Sequence, residues 1–123
     1  MILINGVAED RIDVLDRGLQ YGDGLFETIV YRDGALEFLD AHLERLITDC
    51  KRLKIPFQEY YDSLRTELKS VCQSLNDDAV IKVIITRGIG GRGYFAGSDI
   101  IPTRIISSHP LPNYPDNSYQ QGV

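Results

Sequence analysis

The sequence contains no tryptophan, one methionine, two histidines and two cysteines in 123 residues. Cys50 and Cys72 do not stand at a metal-ligand spacing, and each falls on the apolar side of a predicted helix. We therefore expect no metal site. We expect free, buried thiols, which are typical of a reducing compartment and favour a cytoplasmic location.

Long apolar runs and a surplus of positive charge are also missing. No segment approaches the length of a membrane span, and residues 1–4 are too short to be a signal peptide. The net charge of −5 and the isoelectric point near 4.9 argue against a nucleic-acid-binding domain, which usually carries a basic surface. Small anions stay possible ligands, because they need only one local arginine.

The first forty residues are predicted to form antiparallel sheet. Asn5-Gly6 separates two short apolar runs and is typical of a type I′ hairpin turn. A strand is predicted over residues 25–32, with Phe26 and Thr28 on the same face. Asp33-Gly34 indicates a second hairpin.

Two amphipathic helices are predicted next. Apolar residues recur at three- and four-residue spacing from Leu39 to Leu53, with Asp40 placed to cap the amino end. The same periodicity returns from about Glu59 to Leu75.

Two more strands are predicted, a β-branched central strand over residues 79–86 and a last strand over residues 100–107. The expected fold class is α+β, an antiparallel β-sheet with two α-helices packed on one face. We expect this small domain to span residues 1–108 and an extended, proline-rich linker to span residues 109–123.

Residues 16–28, DRGLQYGDGLFET, join a turn to the start of a strand. Tyr21-Gly22-Asp23-Gly24 is turn chemistry, and a lone GDG is more often a plain hairpin entry. The whole string, however, closely resembles the segment that opens the small domain of the fold-type IV enzymes, which use pyridoxal 5'-phosphate. That family contains branched-chain aminotransferases, D-amino acid aminotransferases and aminodeoxychorismate lyases, and the resemblance extends over the whole chain.

His42 and Arg45 lie three residues apart near the start of the first long helix, so they are neighbours on one flank. Taken alone, Arg45 reads as a solvated helix arginine. The resemblance implies that Arg45 binds the phosphate of pyridoxal 5'-phosphate, with His42 a structural neighbour. Arginine suits this role because its planar fork gives two charge-assisted hydrogen bonds to a phosphate.

Residues 87–97, RGIGGRGYFAG, are predicted to form an irregular glycine-rich loop. The loop lacks the Gly-Lys-Ser/Thr ending of a phosphate loop, and one RGG-like copy in an acidic chain is weak support for nucleic-acid binding. A plain hairpin tip is the structural alternative. The resemblance implies that Arg92 and Tyr94 bind a substrate carboxylate, while Phe26 and Thr28 shape the substrate site, and this string looks closer to the lyases than to the aminotransferases.

The resemblance implies that the complete protein is a homodimeric, pyridoxal phosphate-dependent carbon–oxygen lyase. Its reaction would convert 4-amino-4-deoxychorismate to 4-aminobenzoate and pyruvate in folate biosynthesis. A fold-type IV aminotransferase acting on branched-chain or D-amino acids is one alternative. A non-enzymatic binding or assembly module is the other.

The family's Schiff-base lysine has no counterpart among the four lysines of the chain. Lys51, Lys54, Lys69 and Lys82 all read as solvated side chains. The resemblance implies that this lysine, and the glutamate that pairs with the pyridine nitrogen, belong to a larger domain outside these residues. We therefore expect no catalytic residue within residues 1–123 and no activity from them alone.

Overall fold

One antiparallel sheet of six strands, in the order β2-β1-β6-β5-β3-β4, forms the frame of the molecule. The structure is a computed structural model that describes residues 1–90 and 100–112. The strands are β1 (Ile2–Ile4), β2 (Val7–Ala8), β3 (Gly24–Arg32), β4 (Ala35–Leu36), β5 (Ala79–Thr86) and β6 (Thr103–Pro110). The helices are α1 (Arg17–Tyr21), α2 (Leu39–Arg52) and α3 (Tyr61–Gln73), the last preceded by a 3₁₀ turn at Gln58–Tyr60.

The core lies between the sheet and the two long helices, which confirms the predicted α+β architecture. Alternate residues of β3 and β5 point into it, and Ile29 and Ile81 are among those with no exposed surface. Leu46 of α2 and Leu64 of α3 meet them from the other layer. One face of the sheet is thus covered by α2 and α3, and its opposite face carries Phe26 and Thr28.

Both predicted hairpin turns form as the sequence indicates. Asn5 and Gly6 have φ values of 51° and 82°, and Asp33 and Gly34 have values of 52° and 80°. Positive φ at both central residues is the signature of the type I′ turn, which matches the twist of the flanking strands.

The predicted cap of α2 is wrong. The N-cap position belongs to Phe38, whose φ of 55° is left-handed and whose side chain makes no capping hydrogen bond. Asp40 lies inside the first turn, where its charge favours the helix dipole. The N-cap lies two residues earlier than expected because the chain leaves the β4 hairpin through this left-handed residue.

The last strand is displaced from its predicted position. It begins at Thr103, after Pro102, and continues to Pro110, which pairs with Ala79 of β5. Proline has no backbone N–H to donate, so the ladder starts after Pro102. Residues 113–123 of the predicted linker lie outside the described residues.

Candidate functional site

A buried carboxylate on β3 binds the side chain of Arg45. Glu27 faces the helix layer and is only 7% exposed, whereas Arg45 is 62% exposed. Arg45 donates from Nε to Glu27 Oε2 at 2.9 Å and from Nη2 to Glu27 Oε1 at 2.7 Å. His42 Nδ1 lies 2.7 Å from the same Oε1 oxygen. The acid of this group is buried and its arginine faces solvent.

The ionisation of Glu27 follows from these neighbours. Burial is the largest single influence and raises its pKa, but the hydrogen bonds and charges of Arg45 and His42 together lower the pKa below its usual value of 4.5. The hydrogen bonds and the charge of Glu27 raise the pKa of Arg45 in turn. Near neutral pH, Glu27 is therefore a carboxylate and Arg45 a guanidinium.

The orientation of Arg45 suits an anionic ligand. Glu27 accepts hydrogen bonds from Nε and Nη2 along one edge of the guanidinium. Nη1 makes no hydrogen bond to any residue in 1–90 or 100–112. Because a bidentate carboxylate fixes the plane of the fork, the remaining donors present themselves to solvent in one defined direction. This arrangement fits a phosphate group.

Phe26 and Thr28 lie on the opposite face of β3 from Arg45. Both are exposed, Phe26 to 61%. Lys82 of β5 pairs with Thr28 across the strands, and its ammonium lies 5.0 Å from the centre of the Phe26 ring. A groove of about 420 Å³ begins at Phe26 and Lys82 and continues over Ile84 toward Gly18.

The two faces meet at the edge of β3. β4 pairs only with Tyr31 and Arg32, so residues 24–29 have no strand partner on that side among the described residues. Val30 directs its carbonyl oxygen to the same side, to the N–H of Glu37 at 2.8 Å. Because backbone groups alternate along a strand, those of Phe26 and Thr28 also point to this edge. A ligand at the edge of β3 could reach Arg45 from one side and Thr28 from the other.

The segment before β3 contains a short helix, α1, that the turn signals do not predict. Asp16 is buried, accepts a capping hydrogen bond from the N–H of Gly18 at 2.8 Å, and accepts another from the Thr103 hydroxyl at 2.6 Å. Gly18 needs to be glycine, because a Cβ there would lie 2.3 Å from the Thr86 methyl group. Gly22 ends the helix at a φ of 65°.

The structure thus places three of the five site residues that the sequence analysis proposed. Phe26 and Thr28 are together on the open face, and Arg45 lies across the strand from them. Arg92 and Tyr94 lie outside the described residues. Among residues 1–90 and 100–112, no group of three or more His, Cys, Asp or Glu side chains is arranged to bind a metal ion, and no helix is long and apolar enough to cross a membrane.

Two residues of the site were missed by sequence reasoning. Glu27 could have been found, since a glutamate at an inward position of an alternating strand needs a buried cation, and Arg45 is nearby on the next helix. Lys82 was expected to be solvated. It is instead half-buried on a central strand, stacked on Phe26, and it forms no ion pair with a carboxylate of the described residues.

The chain is similar to known enzymes over nearly its whole length. The family model "Amino-transferase class IV" matches residues 24–123. An aminodeoxychorismate lyase from Vibrio harveyi is 36% identical over 112 residues, which are 91% of this chain and 41% of the relative. A D-alanine aminotransferase from Bacillus licheniformis is 29% identical, with 99% of this chain and 44% of the relative covered.

Solved structures of similar enzymes share the fold of this chain. The crystal structure of 4-amino-4-deoxychorismate lyase from Pseudomonas aeruginosa superposes with a TM-score of 0.89 at 45% identity, covering 100% of this chain and 44% of that one. The fold also recurs in the pyridoxal phosphate-bound form of a hypothetical aminotransferase from Mycobacterium tuberculosis, with a TM-score of 0.69 at 24% identity and coverage of 91% of this chain and 40% of that one. The chain spans about two fifths of the length of these proteins. It belongs to the class IV aminotransferase family, the fold-type IV enzymes that depend on pyridoxal phosphate.

Proposed function

We propose that these residues are the amino-terminal part of a lyase that converts 4-amino-4-deoxychorismate to 4-aminobenzoate and pyruvate. The observation that carries this proposal is the similarity of the entire chain to a solved lyase, at higher identity than to the aminotransferases described above. The reaction needs no second substrate, because loss of the enolpyruvyl group and of one ring proton makes the ring aromatic.

Arg45 is the residue that would hold the cofactor phosphate. Its guanidinium is charged and oriented by Glu27, and its outward donors are accessible. When bound, pyridoxal phosphate would supply an electron sink for bond cleavage next to the substrate amine. The role of this chain in that step would be to bind and orient the phosphate at the edge of β3.

The open face of the sheet offers groups that match the rest of the substrate. The Phe26 ring can pack on an unsaturated ring, the Thr28 hydroxyl can donate or accept a hydrogen bond, and Lys82 is a cation without an acid partner among the described residues. The substrate carries two carboxylates. We assign one to Lys82 and, following the resemblance, the other to Arg92 and Tyr94.

We further propose that the lysine that holds the cofactor lies outside these residues. Lys51, Lys54 and Lys69 are exposed on helix α2, just after it and on α3, whereas a nucleophilic lysine is activated by a desolvating pocket or a neighbouring cation. Residues 1–123 alone would then be inactive. The complete enzyme would be a homodimer in the cytoplasm and act in folate biosynthesis.

Product analysis tests the function. The full-length protein, loaded with cofactor and given 4-amino-4-deoxychorismate, should release equal amounts of pyruvate and 4-aminobenzoate with no 2-oxo acid present. Borohydride reduction of the loaded protein should label one lysine outside residues 1–123. Stoichiometric labelling of Lys51, Lys54, Lys69 or Lys82 together with pyruvate release would overturn the assignment.

An aminotransferase is the second candidate, because a D-alanine aminotransferase aligns over nearly the whole chain. The same assay separates the two functions. Amino-group transfer that requires a 2-oxo acid acceptor, with no pyruvate released from 4-amino-4-deoxychorismate, would favour the aminotransferase.

A further inference from the structure

The carboxyl end of α2 is attached to the sheet by a second charged group. Arg87, the residue after β5, donates from Nε to Asp23 Oδ2 at 2.7 Å. Its Nη2 and Nη1 atoms donate to the carbonyl oxygens of Leu53 at 2.6 Å and Lys54 at 3.1 Å. Arg17 Nε donates to the same Asp23 oxygen at 3.1 Å. All three charged side chains are largely buried.

Asp23 is a carboxylate near neutral pH. Burial is the largest influence on Asp23 and raises its pKa, but hydrogen bonds and charges from Arg87 and Arg17 outweigh it and lower the pKa. The carbonyl oxygens that Arg87 binds are at the negative end of the helix dipole, where a cation is favoured. Arg87 therefore joins β5, the segment before β3 and the end of α2 through one side chain.

The two attachments of α2 to β3 have matching spacing. From Arg45 to Leu53 the helix rises about 12 Å, at about 1.5 Å per residue. From Glu27 back to Asp23, the residue before β3, an extended chain covers about 13 Å, at about 3.3 Å per residue. The helix is thus antiparallel to the strand and held to it at two levels, by Glu27 at one and by Asp23 with Arg87 at the other.

We propose that Arg87 is a positioning residue for the phosphate site, acting through α2 on Arg45. A helix held only by Glu27 could pivot or slide along the strand, since its other contacts with β3 are apolar and non-directional. The attachment at its carboxyl end fixes its axial position. It thereby fixes the place of the Arg45 guanidinium at the edge of β3.

Arginine is needed at position 87 because one side chain must donate hydrogen bonds to three acceptors at once, a carboxylate oxygen on one side and two carbonyl oxygens on the other. The rigid fork gives its Nε to Asp23 and its two terminal nitrogens to two carbonyl oxygens. A lysine would keep the charge but could not satisfy this set in one orientation. Arg87→Lys should therefore behave more like Arg87→Met than like the unchanged protein.

The test measures how much the phosphate adds to cofactor affinity. For the full-length protein, Kd is measured for pyridoxal 5'-phosphate and for pyridoxal, and the Kd for pyridoxal divided by the Kd for pyridoxal 5'-phosphate isolates the contribution of the phosphate site. Arg87→Met and Arg87→Lys should each reduce this ratio about three- to tenfold, the range of indirect coupling between neighbouring sites. In an Arg45→Ala background, Arg87→Met should no longer change the ratio.

Arg104→Met is the matched control, because Arg104 forms a similarly buried ion pair with Glu67, between β6 and α3. It should lower the thermal midpoint without changing the ratio. The inference would be overturned if an Arg87 substitution raised the Kd for pyridoxal 5'-phosphate and the Kd for pyridoxal by the same factor. It would also be overturned if the effect of the substitution on the ratio added to that of Arg45→Ala. Arg87→Lys keeps the buried charge and covers the case in which Arg87→Met does not fold.

The inference rests on the proposed phosphate site, and the two can fail separately. If Arg45→Ala leaves the ratio unchanged, the phosphate site is wrongly assigned and both statements fall. If Arg45→Ala lowers the ratio while both Arg87 variants leave it unchanged, only the positioning role of Arg87 is wrong.

Discussion

Two arginine–glutamate pairs join the helices to the sheet, and they differ in one respect. Arg104 and Glu67 connect β6 to α3, with two hydrogen bonds of 3.1 and 2.8 Å and side chains only 9% and 11% exposed. Arg45 and Glu27 connect α2 to β3 with similar geometry, but Arg45 is 62% exposed. Both guanidinium groups are oriented by a carboxylate. Only that of Arg45 still has donors facing solvent.

The surroundings explain the difference. Arg104 lies against the Tyr60 ring, at 5.3 Å from its centre, on a strand inside the sheet. Arg45 stands beside the part of β3 that β4 does not cover. A closed pair of this kind stabilises the fold, whereas an open pair holds a cation ready for a ligand.

The largest expected effect is on the closed pair. Arg104→Met leaves Glu67 as a buried charge without its partner, which typically costs about 3–5 kcal/mol of stability. The free energy of unfolding, measured by urea titration of the purified protein, should fall by about that amount. Affinity for pyridoxal 5'-phosphate should not change. A loss of under about 1 kcal/mol would show that the pair is less buried in solution than it is here.

The open pair should respond mainly in cofactor affinity. Arg45→Ala removes charge-assisted hydrogen bonds to the cofactor phosphate, so Kd for pyridoxal 5'-phosphate should rise about tenfold or more. The fold should be retained with some loss of stability, because Glu27 is buried and keeps only His42 as a partner. Arg52→Ala is the control, since Arg52 is an exposed arginine on the same helix with only a 3.7 Å contact to Asp49. Equal Kd values for the two variants would exclude Arg45 from the site.

A third cation sharpens the comparison, because Lys82 has no acid partner among the described residues. If Lys82 binds a substrate carboxylate, Lys82→Met should raise KM about three- to tenfold, which corresponds to about 1 kcal/mol of lost interaction. Stability and cofactor affinity should stay close to those of the unchanged protein. A variant with normal KM would mean that this lysine only packs on Phe26.

The sequence was informative where local chemistry decides the structure. Asn5-Gly6 and Asp33-Gly34 require positive φ, and the period-two pattern of β3 assigns Phe26 and Thr28 to one face without any knowledge of the rest of the chain. Local patterns also sufficed for α2 and α3, whose apolar stripes are continuous.

Long-range partners could not be predicted in the same way. Asp16 is bound by the Thr103 hydroxyl, 87 residues away, and Arg87 binds carbonyl groups at the end of α2. Both contacts depend on how the strands are ordered in the sheet. The position of Arg45 relative to Thr28, on opposite sides of one strand, likewise follows only from the packing of α2.

The smallest expected effect is a dependence of stability on pH that belongs to the open pair. The pKa of Glu27 is lowered in the folded protein, so its contribution is fully present above its unfolded value of about 4.5 and is lost as the pH falls through the folded pKa. Glu27→Gln removes this contribution, which should amount to no more than about 1 kcal/mol, the scale of one net hydrogen bond. The unfolding free energies of the two proteins, measured from pH 7 to pH 3, should therefore differ at neutral pH and converge in acid. Asp23 also has a lowered pKa, but it is present in both proteins and cancels in the difference. Parallel curves that never converge would mean that Glu27 acts through packing alone and that its charge does not hold Arg45 in place.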